Sequence, residues 1–306
     1  MNEKTQKNKI PFWRNIKVVP YLYILPNMIL FLVFMIIPIF MSFYYGTVKW
    51  NGMGKPKFIG LANYIYIFQD KVFLKSIFNT FYYAVATVPL LMALALFLAV
   101  MLNSKIPLRG FIRSAVYAPA VVSTVVVGTV FTWIFQDQLG LINYLLTSVG
   151  AKAIQWNNDP KFAMLMLVTA TMWQKAGYNM VIYLSSISGI DTTLYEAAVM
   201  DGANKRQQVF HITLPCLKNV IIMMFILNVG KIFYSDFGLF YQLSQGASGS
   251  IFKTTATIDT YIYNALRSST IGMTSAAAFF QSVACCITII LANAIVKKFD
   301  EDSAII

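Results

Sequence analysis

Two lysines stand where lysines are costly. Lys175 and Lys231 each interrupt an apolar run long enough to cross a bilayer. A charged group there costs about 3 kcal/mol unless it faces protein or water. Lys175 is flanked by Trp173, Gln174, Tyr178 and Asn179, and Lys231 shares its run with Asn228 and Asp236. These residues therefore mark inward faces, and two readings of them stay open. As a solute path, the aromatic rings would offer stacking faces and the amides would bond a polar solute; the lysines would also suit an acidic one. As structural ties, they would form interhelical bonds or an ion pair such as Lys231 with Asp236.

Other chemistry is scarce. The chain has one histidine, His211, so neither an HExxH zinc site nor a histidine cluster can form. Gly230-Lys231 is followed by isoleucine, so no phosphate-binding loop exists, and G-x-S-x-G is absent. The acidic cluster Asp300-Glu301-Asp302 reads as a solvated tail. Cys216, Cys285 and Cys286 give no disulfide framework and read as small hydrophobes. An enzyme is not expected, so any uphill transport must draw on an ion gradient or another subunit.

The segment 191–215 is polar and patterned. Thr193-Leu-Tyr-Glu196 fits a capping box, in which hydroxyl and carboxylate satisfy free backbone amides. The helix it starts carries Leu194, Ala197, Ala198 and Asp201, and Gly202 suits the left-handed residue that closes it. A second short helix from about Asn204 carries Val209, Phe210 and Ile212 towards Pro215, which is expected to end it. The residues alone also allow an ordinary amphipathic connector.

The elements that position these groups follow from composition. Of 306 residues 58% are hydrophobic and 12% charged, about half the charge of a soluble domain. Such a surface cannot be covered with polar groups, so the chain belongs in a bilayer. Apolar runs predict six helical spans near 21–45, 76–104, 115–135, 162–190, 219–239 and 271–296. The fold expected is all-α, a polytopic membrane protein. The first span is too long for a signal peptide and reads as a retained anchor. An amphipathic run at 61–68, in the first outer loop, predicts an interfacial helix lying on the membrane. No repeat, linker or separate soluble domain is evident, so 18–306 reads as one membrane domain behind a short segment 1–17.

Charge placement gives orientation. Thirteen Lys and Arg crowd the short segments at the N-terminus, around Arg109, at Lys205, Arg206 and Lys218, and at Lys297-Lys298, against nine on the other side. This favours both termini in the cytoplasm. The net charge of +12 is then mainly a topology signal. No nucleic-acid partner is expected, because no basic cluster is interleaved with exposed aromatics.

Glu196-Ala-Ala, Gly202 and Ile212-Thr-Leu-Pro215 reproduce the spacing EAA-x3-G-x9-I-x-L-P. The chain resembles, over essentially its whole length, the membrane subunits of ATP-binding cassette (ABC) importers, which carry that signature about 110 residues from the C-terminus. Arg109-Gly-Phe-Ile-Arg-Ser114 with Tyr117-Ala-Pro119, Gly140-Leu-Ile-Asn143, Gly177-Tyr-Asn-Met180 and a glycine turn at 246–249 look like the carbohydrate-uptake permeases. The stretches 236–242 and 259–263 look closest to members handling oligosaccharides or polysaccharide fragments. The large extracytoplasmic insertion of some maltose-type permeases is absent.

The resemblance implies a permease subunit in a bacterial cell membrane, working in a heterodimer with a related permease. It also implies two ATPase subunits, an extracellular solute-binding protein and a sugar substrate. ATP and magnesium would be used by the ATPase partners, with no cofactor on this chain. The loop 191–218 would carry the coupling helix, with Glu196, Ala197, Ala198, Asp201, Gly202, Ile212, Leu214 and Pro215 as ATPase-coupling residues. Trp173, Lys175, Tyr178, Asn179, Asn228, Lys231 and Asp236 would line the substrate path. The alternative is a stand-alone ion-coupled transporter, which would be expected to show inverted repeats.

Overall fold

A computed structural model of the chain describes residues 19–104, 106–156, 159–231, 233, 237–243, 255–268 and 270–299. The basic N-terminal segment, Lys105, Asp236, the glycine turn at 246–249 and the acidic tail lie outside the described residues. Backbone groups in lipid must be satisfied within their own segment, so apolar runs become helices.

The first span is α1 (Val19–Phe31), a π turn (Leu32–Ile36) and α2 (Ile37–Gly46), together one rod of 28 residues. The wide turn comes just before Pro38, which lacks a donor for the ordinary ladder. No residue of α1 is buried, whereas Gly46, at the end of α2, lies against Ala276 of the last helix.

In the loop after α2, β1 (Val48–Lys49) pairs antiparallel with β2 (Lys57–Phe58), a small exception to the all-helical expectation. Next comes α3 (Ala62–Gln69), the expected amphipathic run. It is fastened to protein as well as facing outwards. Ile67 is fully buried, the Asn63 amide donates to the carbonyls of Gly46 and Val48, both at 2.9 Å, and Tyr64 meets Phe279.

Two long helices form the centre: α4 (Lys71–Asn103), capped by Asp70, and α8 (Pro160–Ser188). They make the most extensive helix contact among the described elements. Between them lie α5 (Arg109–Val121), α6 (Thr124–Ile134) and α7 (Leu141–Ser148). The third span was expected to run unbroken through 115–135. Instead α5 and α6 meet at 101°.

After α8 come α9 (Thr192–Met200), α10 (Lys205–Gln208), a π turn (Val209–Thr213), α11 (Leu214–Cys216) and α12 (Lys218–Lys231). The chain bends by 64° between α11 and α12. The described part ends with α13 (Phe237–Leu243), α14 (Ile258–Arg267) and α15 (Ile271–Phe299).

Among the described residues, three helices are long and apolar enough to cross a membrane unaided: Val19–Gly46, Lys71–Asn103 and Ile271–Lys298. The two bent pairs raise that number to five. The fourth expected span, α8, has 29 residues but is less apolar, because Gln174, Lys175 and Asn179 interrupt it. One core cluster gathers Tyr83, Phe131, Leu167 and Phe240 towards the N-terminal ends of α4 and α8. A second gathers Ala95, Leu102, Met180, Tyr183 and Leu217 towards their C-terminal ends.

Candidate functional site

The elbow between α5 and α6 builds one wall of a polar groove. Val122 leaves the helix with extended backbone, φ −74° and ψ 139°, and α6 restarts from Ser123 without a side-chain cap. The break leaves the Val122 carbonyl without a helical partner. It accepts from Nε2 of Gln174 at 3.4 Å, and Gln174 is only 4% exposed. Glycines let the walls approach. A Cβ at Gly177 would stand 2.1 Å from the Val116 carbonyl oxygen, and one at Gly238 would stand 2.7 Å from Oγ1 of Thr124.

The resulting groove encloses about 580 Å³ between Tyr117, Ser123 and Thr124 on the elbow and Lys175, Tyr178, Asn179, Asn228 and Lys231 on α8 and α12. Asn228 donates to Oδ1 of Asn179 at 3.0 Å, and Asn179 donates to the Lys175 carbonyl at 3.0 Å. The Lys231 ammonium lies 5.4 Å from the centre of the Tyr178 ring, a cation–π distance. A small extension of about 30 Å³ reaches Tyr83, Thr87 and Thr171. There the Tyr83 hydroxyl donates to Oγ1 of Thr171 at 2.8 Å, and the buried Thr87 hydroxyl has no hydrogen-bond partner among the described residues. The groove offers donors, acceptors and a ring face, a combination suited to a polyhydroxylated ligand.

Five of the expected path residues thus converge: Lys175, Tyr178, Asn179, Asn228 and Lys231. Trp173 does not join them. It lies two positions before Lys175, about 200° around the helix, and its ring packs on Phe131 at 5.4 Å. Asp236 lies outside the described residues. Sequence reasoning missed Tyr117, Ser123 and Thr124. The available signal was Pro119, which occupies the last turn of α5.

The expected coupling residues share one projecting helix–turn–helix. Its first helix is not capped as expected. Thr193 and Glu196 form no capping box; the carboxylate of Asp191, two residues earlier, accepts from the Thr193 amide at 2.9 Å. An ionised carboxylate is the stronger acceptor, so the helix starts at Thr192 and Glu196 falls mid-helix and exposed. The amide bond also holds the Asp191 carboxyl below its usual pKa. Gly202 closes the helix as expected, at φ +79°. Its amide bonds the Val199 carbonyl at 3.0 Å and that of Ala203 the Ala198 carbonyl at 2.8 Å, a Schellman pair.

The second helix starts after Asn204, in a reciprocal box with Gln207. Pro215 does not end it. The π turn comes first, with the Leu214 amide bonding the Val209 carbonyl, and α11 then carries Pro215 before the bend at Leu217. The widened turn relieves the clash that Pro215 would make with the carbonyl four residues back. Ala197, Asp201, Gly202 and Pro215 are exposed, and Ala198, Ile212 and Leu214 are half-buried.

A helical membrane body with a polar groove between broken segments, and a capped helix–turn–helix projecting from one end, defines the membrane component of a transporter. Residues 59–301 match the family described as binding-protein-dependent transport system inner membrane component, and the chain belongs to it. It is 34% identical over 252 residues to the probable ABC transporter permease protein YurN of Bacillus subtilis (strain 168), covering 81% of this chain and 85% of that protein. It is 30% identical over 287 residues to the polygalacturonan/rhamnogalacturonan transport system permease protein YteP of the same organism, covering 92% and 88%. The lactose transport system permease protein LacF of Rhizobium radiobacter is 33% identical over 248 residues, covering 80% and 82%.

Among solved structures, a bacterial alginate ABC transporter in complex with an alginate pentasaccharide-bound periplasmic protein has a similar chain. The TM-score is 0.81 at 25% identity, over 94% of this chain and 97% of that one. The family is a transport component rather than an enzyme, and membership sets aside the stand-alone ion-coupled reading.

Proposed function

We propose that this chain is one permease subunit of an ATP-driven importer of sugars, with oligosaccharides or polysaccharide fragments as its substrate class. The relatives named for lactose and polygalacturonan, and the alginate transporter, support that class. The observation that carries the reading is the convergence of Lys175, Tyr178, Asn179, Asn228 and Lys231 on the elbow groove. Their amides and hydroxyls exchange hydrogen bonds with sugar hydroxyls, and the Tyr178 ring offers a stacking face.

In this reading α9 seats in an ATPase subunit, and Glu196, Ala197, Asp201 and Gly202 present its contact surface. A second, related permease completes the pore, and an extracellular binding protein delivers the sugar. ATP and magnesium are used in the two ATPase subunits. Closure of those subunits moves α9 and switches the bundle between inward and outward access.

The test is co-purification with the neighbouring permease and ATPases, then ATP hydrolysis with substrate-loaded binding protein. Glu196→Lys is expected to strip the ATPase subunits or abolish stimulation. Unchanged assembly and turnover would remove the coupling assignment.

A further inference from the structure

We propose that Tyr195 is the side chain through which α9 drives α12, and that its hydrogen bond to Thr213 is the brace that makes them move together. The inference rests on the reading of α9 as the ATPase contact and names a positioning residue within it.

Packing cannot carry a push from α9. The helix has no buried residue and makes only glancing contact with other described elements. Beneath it a groove of about 820 Å³ separates it from the C-terminal ends of α4 and α8, at Asn103 and Ile187. The chain connection turns on Gly202 in the left-handed conformation, where the local bonds of Gly202 and Ala203 to the Val199 and Ala198 carbonyls close α9 without reaching α12.

Among the described long-range hydrogen bonds, one crosses that turn from the α9 side. The Tyr195 hydroxyl meets Oγ1 of Thr213 at 2.9 Å, eighteen residues away. Thr213 is 4% exposed and its hydroxyl donates to the Gln208 carbonyl at 3.4 Å. Either hydroxyl can donate in the Tyr195–Thr213 bond, and Oγ1 of Thr213 stands between the phenol and the Gln208 carbonyl. Gln208 is likewise buried, and its Nε2 donates to the Ala203 carbonyl at 3.2 Å, which closes the network back onto the turn. The Thr213 carbonyl accepts from the Leu217 amide at 3.0 Å, at the bend that opens α12. Downstream on α12 stand Asn228 and Lys231, in the groove. The brace turns a hinged pair of helices into a triangle, so displacement of α9 reaches the bend instead of being absorbed at Gly202.

The experiment compares Tyr195→Phe, Thr213→Val, the double variant and Thr213→Ser in the whole complex in proteoliposomes, reading ATP hydrolysis and sugar uptake in parallel. Phe and Val are expected to leave assembly intact and hydrolysis near normal while uptake per ATP falls about five-fold, the worth of one neutral hydrogen bond. The double variant should be no worse than either single one, and Thr213→Ser should keep normal uptake per ATP.

Uptake per ATP unchanged in Tyr195→Phe would overturn the brace. So would hydrolysis and uptake falling in proportion, or a Ser variant as poor as Val. Glu196→Lys serves as the separate control: if it leaves the ATPase subunits bound and stimulated, the reading of α9 fails, whatever the brace does.

Discussion

Gly177 is a point of close approach between α5 and α8. A methyl there meets the backbone of both Val116 and Tyr117, at 2.1 and 2.7 Å, and backbone cannot swing aside as a side chain can. Gly177→Ala should destabilise the complex by about 1–3 kcal/mol, read as a lower thermal midpoint, and should impair uptake because the elbow wall moves. Gly110→Ala, in the first turn of α5, has nothing within 4 Å of the new methyl and should be silent. In the groove itself, Lys175→Ala and Lys231→Ala should preserve assembly and reduce uptake about ten-fold, the scale of one charge-assisted hydrogen bond. Unchanged uptake kinetics in both would return these lysines to a structural role. That alternative could not be settled in the sequence, because a lysine in an apolar run fits either role until its neighbours are placed.

At the scale of elements, the start of α9 is set by a single carboxylate. The bond from the Thr193 amide favours ionised Asp191 and lowers its pKa, with the backbone donor as the main cause. Its folded-state pKa is therefore below the unfolded one, so the cap is fully present above about pH 4. The contribution is lost as pH falls through the lowered value. Hydrogen exchange of the α9 amides should quicken about five-fold in Asp191→Ala. Asp191→Asn should keep the cap and lose its acid sensitivity; equal exchange in Asp191→Ala and the unaltered chain would show that the cap does not hold the helix. The sequence pointed to Thr193 as the cap; the carboxylate two residues earlier takes that place because it is the stronger acceptor.

The spans were legible wherever charge-free runs imposed their own helices, as in the run 76–104, whose helix Lys71–Asn103 ends one residue before the expected bound and starts five residues before it. The elbow was not, because its energy is tertiary. No glycine or proline occupies Val122 or Ser123, and the break is held by Gln174 from α8 and by the contacts of Gly128 and Gly238 between α6 and α13. The 64° bend was hidden for a similar reason: Pro215 looked like a terminus, and the π turn that accommodates it has no sequence signature of its own.

For the molecule as a whole, the two ends of the bundle differ in character. One end joins the close of α4, at Ser104, to Lys205 and the helix–turn–helix across a shared groove. The other joins Lys49, Lys55 and Asn63 of the outer loop to the start of α15 at Gly272. With short basic segments favouring the cytoplasm, the first end should face inwards, where an ATPase can reach α9. The native cysteines test this directly. Cys216, beside Pro215, is exposed at the first end, while Cys285 is buried and Cys286 lies in the apolar run of α15. A membrane-impermeant maleimide should leave Cys216 unmodified in right-side-out cells and label it in inside-out vesicles stripped of ATPase subunits. A cysteine placed at exposed Asn51 should behave in the opposite way. Cys286 should stay unlabelled from either side, since lipid excludes the charged reagent. Labelling of Cys216 from outside would invert the topology and leave α9 where no cytoplasmic ATPase could bind it.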